Sequence, residues 1–194
     1  MQKLSRGSLM TLEAYAKARK EFRSKVIAHK KHRTVHLGDH VTLLFEDELT
    51  IRYQVQEMLR VEKIFEEQGI QEEIDAYNPL IPDGTNFKAT MMIEYEDVDE
   101  RRAALSRLKG IEEKTWVRVE GCPRVFAIAD EDLERETEEK TSSVNFLRFE
   151  LTQEMVDALK YGVALSVGID HPHYQAGLDP ISPEIRASLV NDLA

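Results

Sequence analysis

All six histidines of this 194-residue chain fall in two short stretches. His29, His32, His36 and His40 follow one another at spacings of three, four and four, and His171 and His173 flank one proline. Imidazole is the commonest transition-metal ligand and the usual proton carrier near neutral pH, so the clustering points to metal binding or proton transfer. Residues three and four apart share a helix face. Gly38 ends any helix before His40, however, and His36 directly precedes Leu37-Gly38, which leaves His29 and His32 as the helical pair. His171 and His173 close a buried strand and point to one side if the chain is extended. The metal reading therefore takes His29, His171 and His173 as ligands of a transition metal ion, completed by a carboxylate such as Glu57 or Glu62. The structural reading of the same residues is a solvated basic run, HKKHR, and a His-Pro-His corner. No Glu-x-x-His, HExxH or paired CxxC occurs, which argues against a carboxylate-bridged di-iron centre and a structural zinc site.

A second set is acid–base in character: Glu57, Glu62, Glu94 and Arg101. Glu62 falls within an apolar helical stripe, where a carboxylate must be paired, protonated or at a cavity mouth. Glu94 and Glu96 flank Tyr95 on one strand face, and Arg101 and Arg102 can neutralise such carboxylates. Catalysis by this set requires a concave pocket holding at least two of its members. The alternative is an ion pair fixing a helix on a sheet. Ser166, in ALSVG, is a strand residue rather than a nucleophile elbow, and Cys122 lies in a Gly-Cys-Pro turn near Arg124. GxGxxG and Walker A loops are missing, so nucleotide binding has no support.

The elements that must position these residues follow from periodicity and caps. Ser8 is expected to cap a helix over residues 9–33 that buries Leu12, Tyr15, Phe22, Val26 and Ile27. Val41 to Phe45 reads as a strand. A helix over residues 49–68 presents Ile51, Val55, Met58, Val61 and Phe65, and Gly69 ends it before a short helical piece. A strand over 87–95, a helix opened by Asp97 or Asp99, a hairpin of TWVRVE and RVFAIA, and a helix or loop DEDLERETEEK come next. The strand VNFLRFEL, the helix LTQEMVDALKYG, the strand VALSVGI and a terminal helix capped by Ser182-Pro183 complete the chain. The pattern predicts a single α+β domain over residues 1–194. It has a largely antiparallel sheet of about six strands covered by helices, and a basic N-terminal helical arm over residues 1–34.

The net charge of −10 is segregated. Residues 1–36 hold ten Lys/Arg against Glu13 and Glu21, about +8, which leaves about −18 elsewhere. The arm can pack on its own body, dock an acidic partner or second subunit, or be a solvated helix face. An acidic body repels phosphate and no aromatic residues interleave the arm's basic run, which argues against nucleic acid. One cysteine, no apolar leader and no membrane-length apolar run predict a cytoplasmic protein without membrane contact.

The stretch FEDELTIRYQVQEMLRVEKIFEEQGIQEEIDAYNPLIPDGTNFKATMMIEYEDVDERRAAL resembles an uncharacterised bacterial domain-of-unknown-function family, family 3501. The likeness continues through RVFAIADEDLE, VNFLRFELT and GIDHPHY. The family's recurrent segments fall on Gln56 to Arg60, on Tyr77, Asn78 and Pro79, on Glu94, Tyr95 and Glu96, and on His171. The resemblance implies a place in redox, oxidative-stress or iron-linked metabolism, with a redox protein or a homo-oligomer as partner, and it defines no catalytic residue. The expectation is an accessory protein of such a system with a histidine/carboxylate metal site. The alternative is a non-catalytic interaction module whose basic helix docks an acidic partner or second subunit.

Overall fold

The computed structural model describes residues 2–129, 131 and 140–194. DEDLERETEEK, apart from Glu131 and Lys140, lies outside them. Helix α1 spans Leu12–Lys30 and is capped by Thr11, whose side chain accepts the Ala14 N–H. Ser8 is used elsewhere: it closes a short turn with Ser5 before the helix begins. The helix stops three residues earlier than periodicity predicts. The His32 and Arg33 N–H groups turn back to the His29 and Lys30 carbonyls, and the Thr34 hydroxyl also bonds the Lys30 carbonyl. The last turn thus satisfies its own acceptors and Arg33 swings inward.

Strands β1 (Thr34–Leu37) and β2 (Val41–Phe45) form a hairpin. Its turn needs a left-handed residue, which Gly38 supplies at φ 68°. Helix α2 (Glu48–Val61) starts at a reciprocal cap between Asp47 and Thr50 and buries Ile51, Val55, Gln56 and Leu59. The longer stripe predicted for residues 49–68 breaks at Lys63, which takes φ 55°. Val61 and Phe65 are consequently 57% and 70% exposed. Helix α3 (Glu67–Tyr77) runs on through Gly69 and packs Ile70 and Ile74 on Ile51, Val55 and Leu59, with Leu4, Leu9 and Ile81 completing this smaller core.

The expected single sheet is two. Strand β3 (Asn86–Ile93) pairs with β2 and with β7 (Val144–Glu150), and the five-stranded order is β1-β2-β3-β7-β6. Strand β4 (Thr115–Val119) lies in a four-stranded sheet of order β5-β4-β8-β9, with β8 (Leu165–His171) and β9 (Tyr174–Leu178). The RVFAIA segment is shared between them. Val125–Phe126 (β5) pairs with β4, whereas Ile128–Ala129 (β6) pairs with β7. The two sheets share one core, in which Phe45, Phe87 and Phe149 meet Val117, Leu165, Val167 and Ile169. Helices α4 (Val98–Arg107, capped by Asp97), α5 (Gln153–Lys160) and α6 (Pro183–Val190, capped by Ser182) contribute Ala104, Leu105, Val156, Leu159 and Leu189 to it. Among the described residues, no helix is long and apolar enough to cross a membrane.

Candidate functional site

His29, at the end of α1, is engaged by Asp47, with Nε2 and Oδ2 2.5 Å apart. Asp47 belongs to a buried ionic hub centred on Arg33, which is 1% exposed. The guanidinium donates Nε to the Phe45 carbonyl at 2.8 Å and Nη2 to the Glu46 carbonyl at 3.1 Å. Nη1 reaches the carbonyl and hydroxyl of Ser188, both at 3.3 Å, and Nη2 also bonds Asp192. Asp47 lies 3.4 Å from Nε. One cation thus serves two carboxylates, and the two respond differently. Burial pushes Asp192 up to about 6 despite Arg33. Burial also opposes ionisation of Asp47, but Arg33, the Thr50 N–H and His29 hold its carboxyl below the ordinary range. Glu46 is pushed up by burial against hydroxyl hydrogen bonds from Thr50 and Thr90. The hub ties the end of α1, the start of α2 and the end of α6 together.

His171 is buried, with Nε2 2.9 Å from the Lys109 carbonyl. Its Nδ1 accepts the His173 N–H at 3.2 Å, so Nε2 carries the proton and both ring nitrogens are used. His173 is exposed at the β8–β9 turn and His32 at the end of α1. Among the described residues, no group of three or more His, Cys, Asp or Glu side chains could hold a metal ion.

The acid–base set divides in two. Glu57 faces α1, accepting the Tyr15 hydroxyl at 2.6 Å and Arg19 Nε and Nη2 at 2.7 and 2.9 Å, with Arg60 at 3.3 Å. The Arg19 guanidinium, aided by Tyr15 and Arg60 against partial burial, holds its carboxyl at about 2. This ion pair fixes one helix on another, where the alternative reading placed a helix on a sheet. Glu62, at the C-cap of α2, is exposed rather than set in an apolar stripe, because the helix ends there. Glu94 and Arg101, by contrast, line one cleft of about 830 Å³ at the end of the five-stranded sheet. His40 lines it too, stacked on Tyr95 with ring centres 3.8 Å apart. Thr42 Oγ1 donates to Glu94 at 2.8 Å and lies 3.1 Å from His36 Nδ1. The end of the predicted helix separates His36 and His40 from His29 along the chain. Their return through a β-hairpin was readable from Gly38 and the strand Val41 to Phe45.

A second cleft, of about 620 Å³, is lined by Ser166, Asp179, Arg118 and Cys122. Its buried Ser166 hydroxyl and Arg118 both bond Asp179, at 2.5 and 2.6 Å. Ser166 is a strand residue of β8, as its sequence context indicates. On the outer face of α1, Lys20, Arg23, Ile27 and Lys31 follow at helical spacing and are all exposed, Ile27 by 46%. None of the three cations makes a salt bridge among the described residues.

No curated protein matches the chain. A crystal structure of a novel protein of unknown function from Burkholderia pseudomallei K96243 is similar to it over 100% of both chains, with 59% identity and a TM-score of 0.95. The model of the family described as protein of unknown function (DUF3501) matches residues 3–193, nearly the whole fold described above, and the chain belongs to that family.

Proposed function

We propose that the protein is a cytoplasmic accessory module of a redox or iron-linked system, and that it works by docking an acidic partner protein on the outer face of α1. The observation that carries the docking is the exposed row Lys20, Arg23, Ile27 and Lys31, three unpaired cations around an apolar centre. Residues 37–194 carry about −18, so the basic helix that bears the row is the place where an acidic surface meets attraction rather than repulsion. Charge complementarity speeds encounter and selects the partner, and Ile27 offers a centre that loses water on contact. The opposite face of α1 is held by the Glu57 contacts with Tyr15 and Arg19, which keeps the row rigid. The redox or iron-linked setting rests on the family resemblance. His29 and His171 already serve the fold through Asp47 and the Lys109 carbonyl, so the docking row, rather than a metal held with His173, supports the reading.

The test is cross-linking of the untagged protein in a host extract, followed by reconstitution with each captured protein in purified form. The expected result is a complex with an acidic protein. Its affinity falls at least about tenfold on joint Lys20→Glu and Arg23→Glu substitution, and it weakens as salt rises. Complexes indifferent to both changes overturn the proposal. So does a chain that associates only with a second copy of itself.

A further inference from the structure

The cleft at the end of the five-stranded sheet carries a separate inference. It opens where the β1–β2 turn, the residues after β3, the first turn of α4 and the start of β7 meet, and its volume of about 830 Å³ suits a small ligand. Two of its polar groups are held in place with bonding capacity left over, and a third has no side-chain partner among the described residues. His40 lies flat on Tyr95, 11° from coplanar, and its Nδ1 is 3.0 Å from the Glu94 carbonyl. A carbonyl only accepts, so Nδ1 carries the proton, and in the neutral ring Nε2 keeps a lone pair with no partner among the described residues. Glu94 receives the Thr42 hydroxyl on Oε2 alone. Thr42 has one hydrogen to give, so His36 Nδ1 must donate to Thr42, and the three side chains form a directed chain His36–Thr42–Glu94. That chain fixes the Glu94 carboxylate and leaves Oε1 without a partner among the described residues.

Arg101 is the third group. It is half-buried at the start of α4, and its guanidinium makes no hydrogen bond or ion pair among the described residues, although Glu94, Glu96 and Glu100 line the same cleft. A guanidinium in that position is a fork for an incoming carboxylate, which it binds through two parallel N–H···O bonds. The carboxylates that outnumber it call for positive charge on the same ligand.

We propose that the cleft binds a basic α-amino acid. Arg101 takes the carboxylate, Glu94 and Glu96 take ammonium or guanidinium groups, and the Tyr95–His40 stack lies along the aliphatic stem. The experiment is calorimetry and thermal shift on the full chain with L-lysine, L-arginine and cadaverine, which is lysine without its carboxylate. At least one of the two amino acids is expected to bind, with cadaverine at least about tenfold weaker than lysine or arginine. Arg101→Gln is expected to erase that preference for the carboxylate, and Glu94→Gln to weaken amino acid and diamine alike. Arg101 bonds no other side chain among the described residues, so its loss leaves the fold intact, which circular dichroism checks. No binding of either amino acid at about 10 mM overturns the proposal. Equal binding of cadaverine by the wild type, or an undiminished preference in Arg101→Gln, does the same. The α1 docking face stands or falls separately.

Discussion

Replacing Arg33 with methionine is expected to be among the most destabilising single changes in this protein. The guanidinium is 1% exposed, donates to the Phe45, Glu46 and Ser188 carbonyls, and is the shared counter-ion of Asp47 and Asp192. Methionine fills much of the volume but leaves two buried carboxylates and three carbonyls short of a donor. Breaking a buried pair from one side costs about 3–5 kcal/mol. For a chain of this size that is a fall in Tm of about 6–20 °C. Urea and thermal unfolding at neutral pH measure it. Part of the loss should return in Arg33→Met/Asp192→Asn, because the second change removes one stranded charge. The pH dependence supplies an independent check. The folded-state pKa of Asp192 is raised to about 6, so its contribution is fully present below its unfolded value of about 4 and is lost as pH rises through about 6. The loss amounts to about 3 kcal/mol, and Asp192→Asn should remove it. Asp47, whose pKa is lowered, acts in the opposite sense, contributing above its unfolded value and losing that as pH falls. An Arg33→Met variant within about 1 kcal/mol of wild type would refute the reasoning, as would a double variant as unstable as the sum of its parts.

Three further outcomes follow from the same geometry. His171→Ala should cost about 1–3 kcal/mol in urea unfolding by stranding the Lys109 carbonyl and the His173 N–H, while the metal content of untagged protein stays unchanged. Glu57→Gln should loosen α1 from α2, seen as faster amide exchange along α1. Because its carboxyl sits at about 2 in the fold, this contribution is present above its unfolded value and fades only as pH falls toward 2. Gly38→Ala should lower Tm through two effects, the φ of 68° and the Tyr174 hydroxyl that a new Cβ would meet at 2.7 Å. The conservative pair Tyr174→Phe should relieve only the second.

Local chemistry by itself determined a good part of this protein. The strand Val41 to Phe45, a helix opening at Asp97 or Asp99, the Ser182-Pro183 cap and the strand VNFLRFEL were all readable, because each is specified by neighbouring residues: an apolar run, a capping oxygen, a fixed proline φ. The antiparallel α+β class followed from their sum. Short edge strands did not show, since β1 and β9 are only four and five residues long and owe their form to pairing with β2 and β8. Nor did the divided RVFAIA segment, whose two halves differ only in which distant strand accepts them.

The chemistry was decided at the tertiary level. His29, His171 and His173 looked alike as ligands along the chain. In the fold His29 leans on Asp47, His171 is spent on the Lys109 carbonyl and on the His173 N–H, and the His173 side chain stays exposed. Glu57 and Glu94 looked alike as carboxylates, yet one locks two helices and the other opens into a cleft beside Arg101. Residue type sets what a side chain is able to do, but a lone pair or a charge is available only where no neighbour has claimed it. Those neighbours come from elements far apart in sequence, brought together by the packing of helices on two sheets.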